Sequence, residues 1–589
     1  MTVFITDSSE RYHAGTAENR ILLDVAVIRS STFLSEAEIL ALNTFNGSSE
    51  ITAGDAFVAA LEQLVSRLSE KEFPVIPFME HKTRYEQLYS FLFHRLSEYG
   101  RHRFQLHYWI ASFLEFKNDP SLLLNFDLDY QYSWIAQSRE TLKFNGEVHI
   151  RPQQRSGLQR LSGELKNLLH TPYRLLHPPK KAVRSRTNVL IVTYNILHHI
   201  RIFEQYVNRT LETTDYDIHF LIVSSSLNSS ENLVTPLFGE HSRIHIHAFE
   251  SFRSTHFLRP GKILGKLAQL EPELAFLEND PHFEATFTQY QWMANVFRKL
   301  SPDVCLLVNL HEIGRIMADI AWQTKTPSIQ VDYGLFSDHH LMNARIAFTA
   351  RAVLSQAVTA VWEKRGDTAL SRIPIGFTKL DDSRSPEELT ADKQAFFNAN
   401  GLDPDLPTVF FASTWSLPGE IYDVEKSEIV KALSGICGRS RYNLIVKKHP
   451  LEQDDSLEKL VAGKSCQRIF QHTDLSLEKA IALSDFVTTQ GSSIVLEALF
   501  YGKMPVFLGI AAEKQHILAG MTNNDDVVYF SDFTAFEQFL QSLVKDESAR
   551  IEFDARVQQK TEQMLHKKDR KASFRLFELV EKLMKEHAE

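Results

Sequence analysis

Two short segments in the last third of the chain carry residue types that suit phosphate binding. Lys447–Pro450 follows Asn443–Val446, a continuous apolar run typical of a strand buried on both faces. Gly491–Ser493 lies between Asp485–Thr488, which is expected to be extended, and the helical pattern Ile494–Tyr501. Lysine and histidine attract phosphate, and a small-residue turn with a serine cap brings a ligand close to the free N–H groups at a helix start. We therefore expect these segments to form two walls of one phosphate site.

The elements that must position these segments alternate between strand and helix. Apolar runs at 188–193, 218–223, 304–308 and 328–331 are separated by helical stretches, and the pattern restarts with runs at 408–412, 443–446, 485–488 and 505–508. Such alternation predicts parallel α/β sheets, here two in tandem. Because open α/β sheets bind ligands beyond the carboxyl ends of their strands, Lys447–Pro450 and Gly491–Ser493 are expected at one such edge.

The region before residue 171 differs from the rest of the chain. A capping box at Ser35–Glu38 and the aromatic-rich stretch Tyr85–Phe116 favour a mainly helical accessory or oligomerisation domain over residues 1–170. A proline-rich, basic linker covers 171–187. The predicted domains that follow are 188–380, 381–560 and a C-terminal amphipathic helix over 561–589.

Composition excludes several classes of protein. The chain has 589 residues, enough for several domains, and its net charge of -10 argues against a general nucleic-acid binder. Three distant cysteines show no metal-ligand spacing, and neither a signal peptide nor a transmembrane run is apparent. These observations indicate a cytoplasmic protein.

The last 200 residues or so resemble bacterial GT-B enzymes that build surface polysaccharides. These are the capsule-type Kdo and sialic acid transferases and the CDP-glycerol glycerophosphotransferase-like polymerases. His449-Pro450 and Ser492-Ser493 match the two short motifs of this group, and Phe410–Trp415 resembles the strand and turn that open its donor domain. The Thr489–Ser493 turn departs from the glycerophosphotransferase pattern, which favours a sugar transferase.

The resemblance implies an acceptor-side Rossmann-like domain over 188–380 and a nucleotide-donor-binding one over 381–560. Glu497 follows the serine turn by one helical turn, within reach of ribose hydroxyls. The expected nucleotide-binding residues are Lys447, Lys448, His449, Pro450, Gly491, Ser492, Ser493, Glu497 and Thr414. Candidate bases for the acceptor hydroxyl, each after a first-domain strand, are Asp332, His198 and His311.

The interpretation is therefore a metal-independent glycosyltransferase without a cofactor. It takes a sugar from a cytidine-nucleotide donor to a cell-surface glycan or lipid-linked acceptor, and binds no nucleic acid. The alternatives are a CDP-glycerol polyol-phosphate transferase, a nucleotide-sugar 2-epimerase-like enzyme, or a non-catalytic assembly protein. The stripe Leu576–Met584 with the basic residues before it offers two readings: a peripheral contact with the inner membrane face, or a helix packing across both domains, which we prefer.

Overall fold

The structure is a computed structural model of the whole chain, and it describes most residues from 186 onward. The described residues are 2–6, 9–14, 19–24, 27–31, 34, 61–62, 64–71, ten positions between 85 and 119, 121–129, 144–151, 186–194, 197–223, 227–252, 281–308, 312–334, 346, 348–364, 367–414, 421–449, 452, 456–471, 473–490, 492, 494–509 and 528–588. The capping box at Ser35–Glu38 and almost all of the 171–187 linker lie outside these residues.

The N-terminal region contains a five-stranded sheet in the order β3-β2-β1-β4-β5. Its elements are β1 (Thr2–Thr6), α1 (Ser9–Ala14), β2 (Arg20–Asp24), β3 (Val27–Ser31), β4 (Leu123–Asp129) and β5 (Val148–Arg151). All neighbouring strands are parallel except β2 and β3. The expectation of a mainly helical region must therefore be corrected to include this sheet, whose short strands mix polar and apolar residues.

The second sheet has seven strands, all parallel, in the order β12-β11-β10-β9-β6-β7-β8. The strands are β6 (Asn188–Tyr194), β7 (Asp217–Val223), β8 (Ile244–Ala248), β9 (Val304–Leu307), β10 (Ser328–Val331), β11 (Ala350–Val353) and β12 (Ser371–Pro374). The helices are α2 (Leu197–Arg201), α3 (Glu204–Thr213), α4 (Leu227–Phe238), α5 (Pro281–Leu300), α6 (Glu312–Gln323) and α7 (Gln356–Lys364). Alternate residues of β6 enter opposite cores, which explains its continuous apolar run.

The third sheet has six parallel strands in the order β15-β14-β13-β16-β17-β18. The strands are β13 (Thr408–Ala412), β14 (Asn443–Lys447), β15 (Gln467–Phe470), β16 (Phe486–Thr489), β17 (Pro505–Leu508) and β18 (Val528–Phe530). The helices are α8 (Pro386–Thr390), α9 (Lys393–Ala399), α10 (Ile421–Ser440), α11 (Ser456–Val461), α12 (Leu477–Leu483), α13 (Val495–Phe500), α14 (Phe533–Lys545) and α15 (Glu547–Met564).

Both large sheets have the Rossmann strand order, in which the first strand lies between the second and the fourth. The predicted fold, two Rossmann-like domains of the GT-B kind, is confirmed. In each sheet the order reverses between the first and fourth strands, β6 and β9 in one domain and β13 and β16 in the other. This switch point leaves a crevice at the carboxyl ends of the strands, where a ligand can bind.

The last helix, α16 (Ala572–Ala588), returns to the first Rossmann-like domain. Its apolar residues Leu576, Leu579, Val580 and Leu583 are buried in the same core as α3. The guanidinium carbon of Arg209, on α3, lies over the aromatic rings of Phe574 and Phe577, at 4.1 and 5.4 Å from their centroids. The stripe therefore packs on the first domain, which differs from the preferred expectation of a helix packing across both domains. None of the described helices is long and apolar enough to cross a membrane.

Candidate functional site

The predicted phosphate-binding segments meet at the carboxyl edge of the third sheet. β13 lies between β14 and β16, so the residues that follow these three strands are neighbours. The Ser413 N–H donates to the carbonyl of Lys447 at 3.1 Å, which joins the ends of β13 and β14. The Thr489 hydroxyl donates to the carbonyl of Ala412 at 3.1 Å, which joins β13 and β16. Thr414, His449 and Ser492 therefore lie around one switch point.

A buried carboxylate that the sequence analysis did not single out organises the loop after β14. Glu452 accepts hydrogen bonds from the Ser413 hydroxyl and from the His449 N–H, the latter at 3.0 Å, and forms an ion pair with Lys426 of α10. The Glu452 N–H donates back to the His449 carbonyl at 2.9 Å. These contacts fix the backbone of His449 beside β13.

The two lysines of the motif have different environments. Lys447, the last residue of β14, is half-buried, and this burial lowers the pKa of its ammonium to about 8. Lys448 has a buried side chain that pairs with Glu458 of α11 at 2.9 Å. The prediction that Lys448 contacts a nucleotide is corrected accordingly, because its ammonium is held in this ion pair. The role predicted for Lys447 stays a prediction.

The serine turn differs from its predicted geometry at the helix start. The helix α13 begins at Val495, and its N-cap Ile494 has no side-chain cap hydrogen bond. Ser492 accepts a long hydrogen bond of 3.4 Å from the Ile494 N–H, before the helix, so it is not the helix cap. The helix ends at Phe500, and Gly502 follows the C-cap Tyr501 with a φ of 70°, a conformation that favours glycine. Gly491, Ser493 and Pro450 lie outside the described residues.

Glu497, on the first turn of α13, is buried at this edge and has one oxygen to spare. Oε1 forms an ion pair with Lys379, which lies on the segment joining the two Rossmann-like domains. Oε2 is buried and has no hydrogen-bond partner among the described residues. The hydroxyl oxygen of Thr414 is likewise buried and has no hydrogen-bond partner among the described residues. Because an unsatisfied buried polar atom costs stability, both atoms suit a ligand that supplies hydroxyl or N–H donors.

The candidate base Asp332 belongs to a buried network of the first Rossmann-like domain. Its Oδ1 accepts a hydrogen bond from Gln330 at 2.9 Å, and Gln330 accepts one from Arg351, which pairs with Asp367 at 2.7 Å. Burial is the main reason that the pKa of Asp332 is raised to about 7. That value would suit a base, but only 1% of the residue is exposed. Glu497, at the edge of the third sheet, is also only 3% exposed, so burial does not decide the role of Asp332, which stays a prediction for the base.

The other first-domain candidates are only partly described. His198 lies on α2, but its side chain is outside the described part of the chain, and so is the whole of His311. His199, the neighbour of His198, is buried, and its ring centroid lies 5.1 Å from that of Tyr333 in an edge-to-face contact. Burial raises the pKa of Tyr333 to about 12. Within the described ranges, no group of three or more His, Cys, Asp or Glu residues is placed to hold a metal ion.

Comparison with known proteins returns matches among solved structures alone. No protein-family model and no curated protein matches the chain. A UDP-GlcNAc 2-epimerase from Neisseria meningitidis bound to UDP-GlcNAc is 12% identical over 67% of this chain and 100% of that chain, with a TM-score of 0.44. A variant of the wall teichoic acid polymerase TagF is 11% identical over 68% and 90%, with a TM-score of 0.40. A UGT transferase from Siraitia grosvenorii in complex with UDP is 12% identical over 67% and 100%, at 0.43.

These likenesses are too distant to assign an activity to the chain. The assignment of a function rests instead on the side chains gathered at the carboxyl edge of the third sheet.

Proposed function

We propose that this protein is a GT-B-type glycosyltransferase whose second Rossmann-like domain binds a nucleotide-activated sugar. The observation that carries the proposal is the buried, unpartnered oxygen of Glu497 at the switch point. A carboxylate in that position can accept hydrogen bonds from ribose hydroxyls. Lys447 and His449, after the neighbouring strand, would then balance the phosphate charge without a metal ion. The resemblance in sequence favours a cytidine nucleotide as donor.

The transfer itself exchanges one bond for another. The acceptor oxygen forms a bond to the anomeric carbon of the sugar, and the bond from that carbon to the donor phosphate oxygen breaks. The nucleotide leaves with the electron pair, and a base removes the proton of the acceptor hydroxyl. Asp332, His198 and His311 stay predictions for this base. The acceptor is proposed to be a cell-surface glycan or a lipid-linked precursor, met at the inner face of the cytoplasmic membrane.

Isothermal titration with CMP, CDP, UDP and GDP tests the proposal. We expect one of the cytidine nucleotides to bind most tightly. His449→Ala and Glu497→Gln should each weaken that binding about 10- to 100-fold, the range for a hydrogen bond or ion contact with a charged group. Glu428→Gln, an exposed glutamate of α10, is the matched control and should bind like the wild type.

Three outcomes would contradict parts of this proposal. If none of the four nucleotides binds, the site is not a nucleotide site. If His449→Ala and Glu497→Gln leave binding unchanged, these residues are assigned wrongly. If UDP binds best and the wild type epimerises a UDP-sugar without any acceptor, the reaction is the epimerase alternative.

A further inference from the structure

The segment joining the two Rossmann-like domains passes beside the candidate nucleotide site. It leaves β12 at Pro374, forms a short 3-10 helix at Thr378–Leu380, and reaches the second domain at α8. We call residues 375–382 the connector. Lys379 lies in its centre, and its side chain is 42% exposed although its ammonium pairs with Glu497, whose side chain is only 4% exposed. The connector thus supplies a cation to a carboxylate of the second domain.

The same connector is held at its other side by the last helix. Both carboxylate oxygens of Asp381 accept hydrogen bonds from the start of α16, from the Ala572 N–H at 3.0 Å and the Ser573 N–H at 2.6 Å. The Arg575 Nε donates to the Ile375 carbonyl at 2.7 Å. A carboxylate at a helix N-terminus also interacts favourably with the helix dipole. The connector is therefore fixed by the helix that packs on the first domain.

A glycine allows this close approach between the connector and the last helix. Gly376 has a φ of 92°, a conformation that favours glycine, and a Cβ there would lie 3.1 Å from Arg575 Nη2. Lys379 and Asp381 are two residues apart, so a displacement of one is transmitted to the other over a very short stretch of backbone. The short stretch from Lys379 to Asp381 therefore links Glu497 to the start of α16.

We infer that Lys379 is a positioning residue of the nucleotide site, which makes the connector part of that site. This inference rests on the proposed function. By holding Oε1 of Glu497, Lys379 sets the rotation of the carboxylate about its terminal torsion, which is otherwise broad. Oε2 is then directed at the ligand and available to accept from a ribose hydroxyl. Nucleotide binding is in turn transmitted through Asp381 to the first turn of α16.

The first test compares ribonucleotides with their 2′-deoxy counterparts. The probes are CMP, CDP, UDP and GDP and the 2′-deoxy form of whichever binds wild type best. Lys379→Met should weaken binding of the ribonucleotide about tenfold and weaken binding of the deoxynucleotide less, so the preference for ribose falls. Lys379→Arg should restore that preference, because it keeps the positive charge. Lys431→Met, an exposed lysine of α10, is the matched control.

The second test follows hydrogen exchange of the full chain with and without the same ribonucleotide. In the wild type, the nucleotide should slow exchange of the amides of residues 376–382 and 572–575. In Lys379→Met, measured at a nucleotide concentration that saturates the site, this slowing should be lost while protection of the ends of β13 and β16 remains. A purely structural lysine would change protein stability without changing the preference for ribose or this pattern of protection.

The two tests separate the inference from the proposed function. If the wild type binds a nucleotide while Lys379→Met keeps both the ribose preference and the protection of the connector, the inference is overturned and the proposed function stands. If the wild type binds none of the four nucleotides, both are overturned.

Discussion

The contacts of Glu452 lead to a quantitative prediction about the loop that presents His449. Lys426 and Glu452 have side chains 9% and 6% exposed, and they form an ion pair that also receives the Ser413 hydroxyl and the His449 N–H. Removing one member of a buried pair leaves an uncompensated charge, which costs about 3–5 kcal/mol. Replacing both by neutral groups removes this uncompensated charge but still alters the hydrogen bonds that Glu452 accepts from Ser413 and His449, so only part of the cost is recovered.

We therefore expect Lys426→Met and Glu452→Gln each to destabilise the protein strongly. The double variant should be much less destabilised than the sum of the two single variants, with a coupling of about 2–3 kcal/mol. Glu452→Gln should also weaken nucleotide binding. If the glutamine amide turns its NH2 group toward His449, it cannot accept the hydrogen bond from the His449 N–H, and the backbone of His449 is then held less firmly. The exposed pair Arg550–Asp554, with side chains 36% and 56% exposed, provides a control cycle whose coupling should stay below about 1 kcal/mol.

The assay is urea unfolding of the wild type, the two single variants and the double variant under identical conditions, monitored by far-ultraviolet circular dichroism. Each folded variant is also titrated with nucleotide. Strictly additive losses would refute the reasoning, since they would mean that the two charges do not depend on each other in the folded state. A Glu452→Gln variant with wild-type stability and wild-type nucleotide affinity would do the same.

Three further predictions concern the first Rossmann-like domain and the helix α16 that packs on it. Because burial raises the pKa of Asp332 from its ordinary value of 3.8 to about 7, the folded protein holds this proton more tightly than the unfolded chain does. Wild-type stability relative to Asp332→Asn should then be greatest near pH 4 and fall as the pH rises to about 7, and parallel pH profiles of thermal unfolding would contradict this. Leu576→Ala, at a fully buried position of α16, should cost about 2–5 kcal/mol in the same unfolding measurements. Wild type should stay out of anionic vesicles in flotation, and wild-type flotation abolished by Leu576→Ala would show that the stripe binds lipid instead.

The central strands of the two Rossmann-like domains could be predicted from sequence. The runs expected at 328–331, 408–412 and 505–508 are β10, β13 and β17 with the same bounds, and the helical pattern expected at 494–501 contains α13. β13 and β17 are buried on both faces, so their segments are mostly apolar and easily recognised. β10 is also buried, but it contains Gln330 between an isoleucine and a valine.

The strands missed by sequence analysis carry polar residues whose partners are distant in the chain. β8 alternates isoleucine with His245 and His247, and both rings stack on His219 of β7, with ring centroids 4.8 and 5.3 Å apart. Burial lowers the pKa of His219 to about 4, so this residue is held neutral inside the sheet. β11 contains Arg351, which is buried against Asp367. Apolar patterning cannot detect strands of this kind.

The candidate site was predictable only in its location. The positions of Thr414, His449 and Ser492 follow from the rule that parallel strands place their carboxyl ends at one edge. The side-chain contacts around the site do not follow from any local pattern. Lys379 and Glu497 are 118 positions apart in the sequence, and Ser413 and Glu452 are 39 positions apart. The burial of Asp332 and the pairing of Lys448 with Glu458 are likewise tertiary facts.

The return of α16 to the first Rossmann-like domain has a consequence for biosynthesis. The core formed with Ile191, Tyr206 and Val207 is completed by Leu576 and Leu579, which are translated more than 360 residues later. Until residues 572–588 have left the ribosome, that domain presents an uncovered apolar face. Such a face is prone to aggregation and attractive to chaperones. Ribosomes stalled before residue 572 should therefore carry a nascent chain that binds ribosome-associated chaperones. Nascent chains that include the completed α16 should no longer bind them.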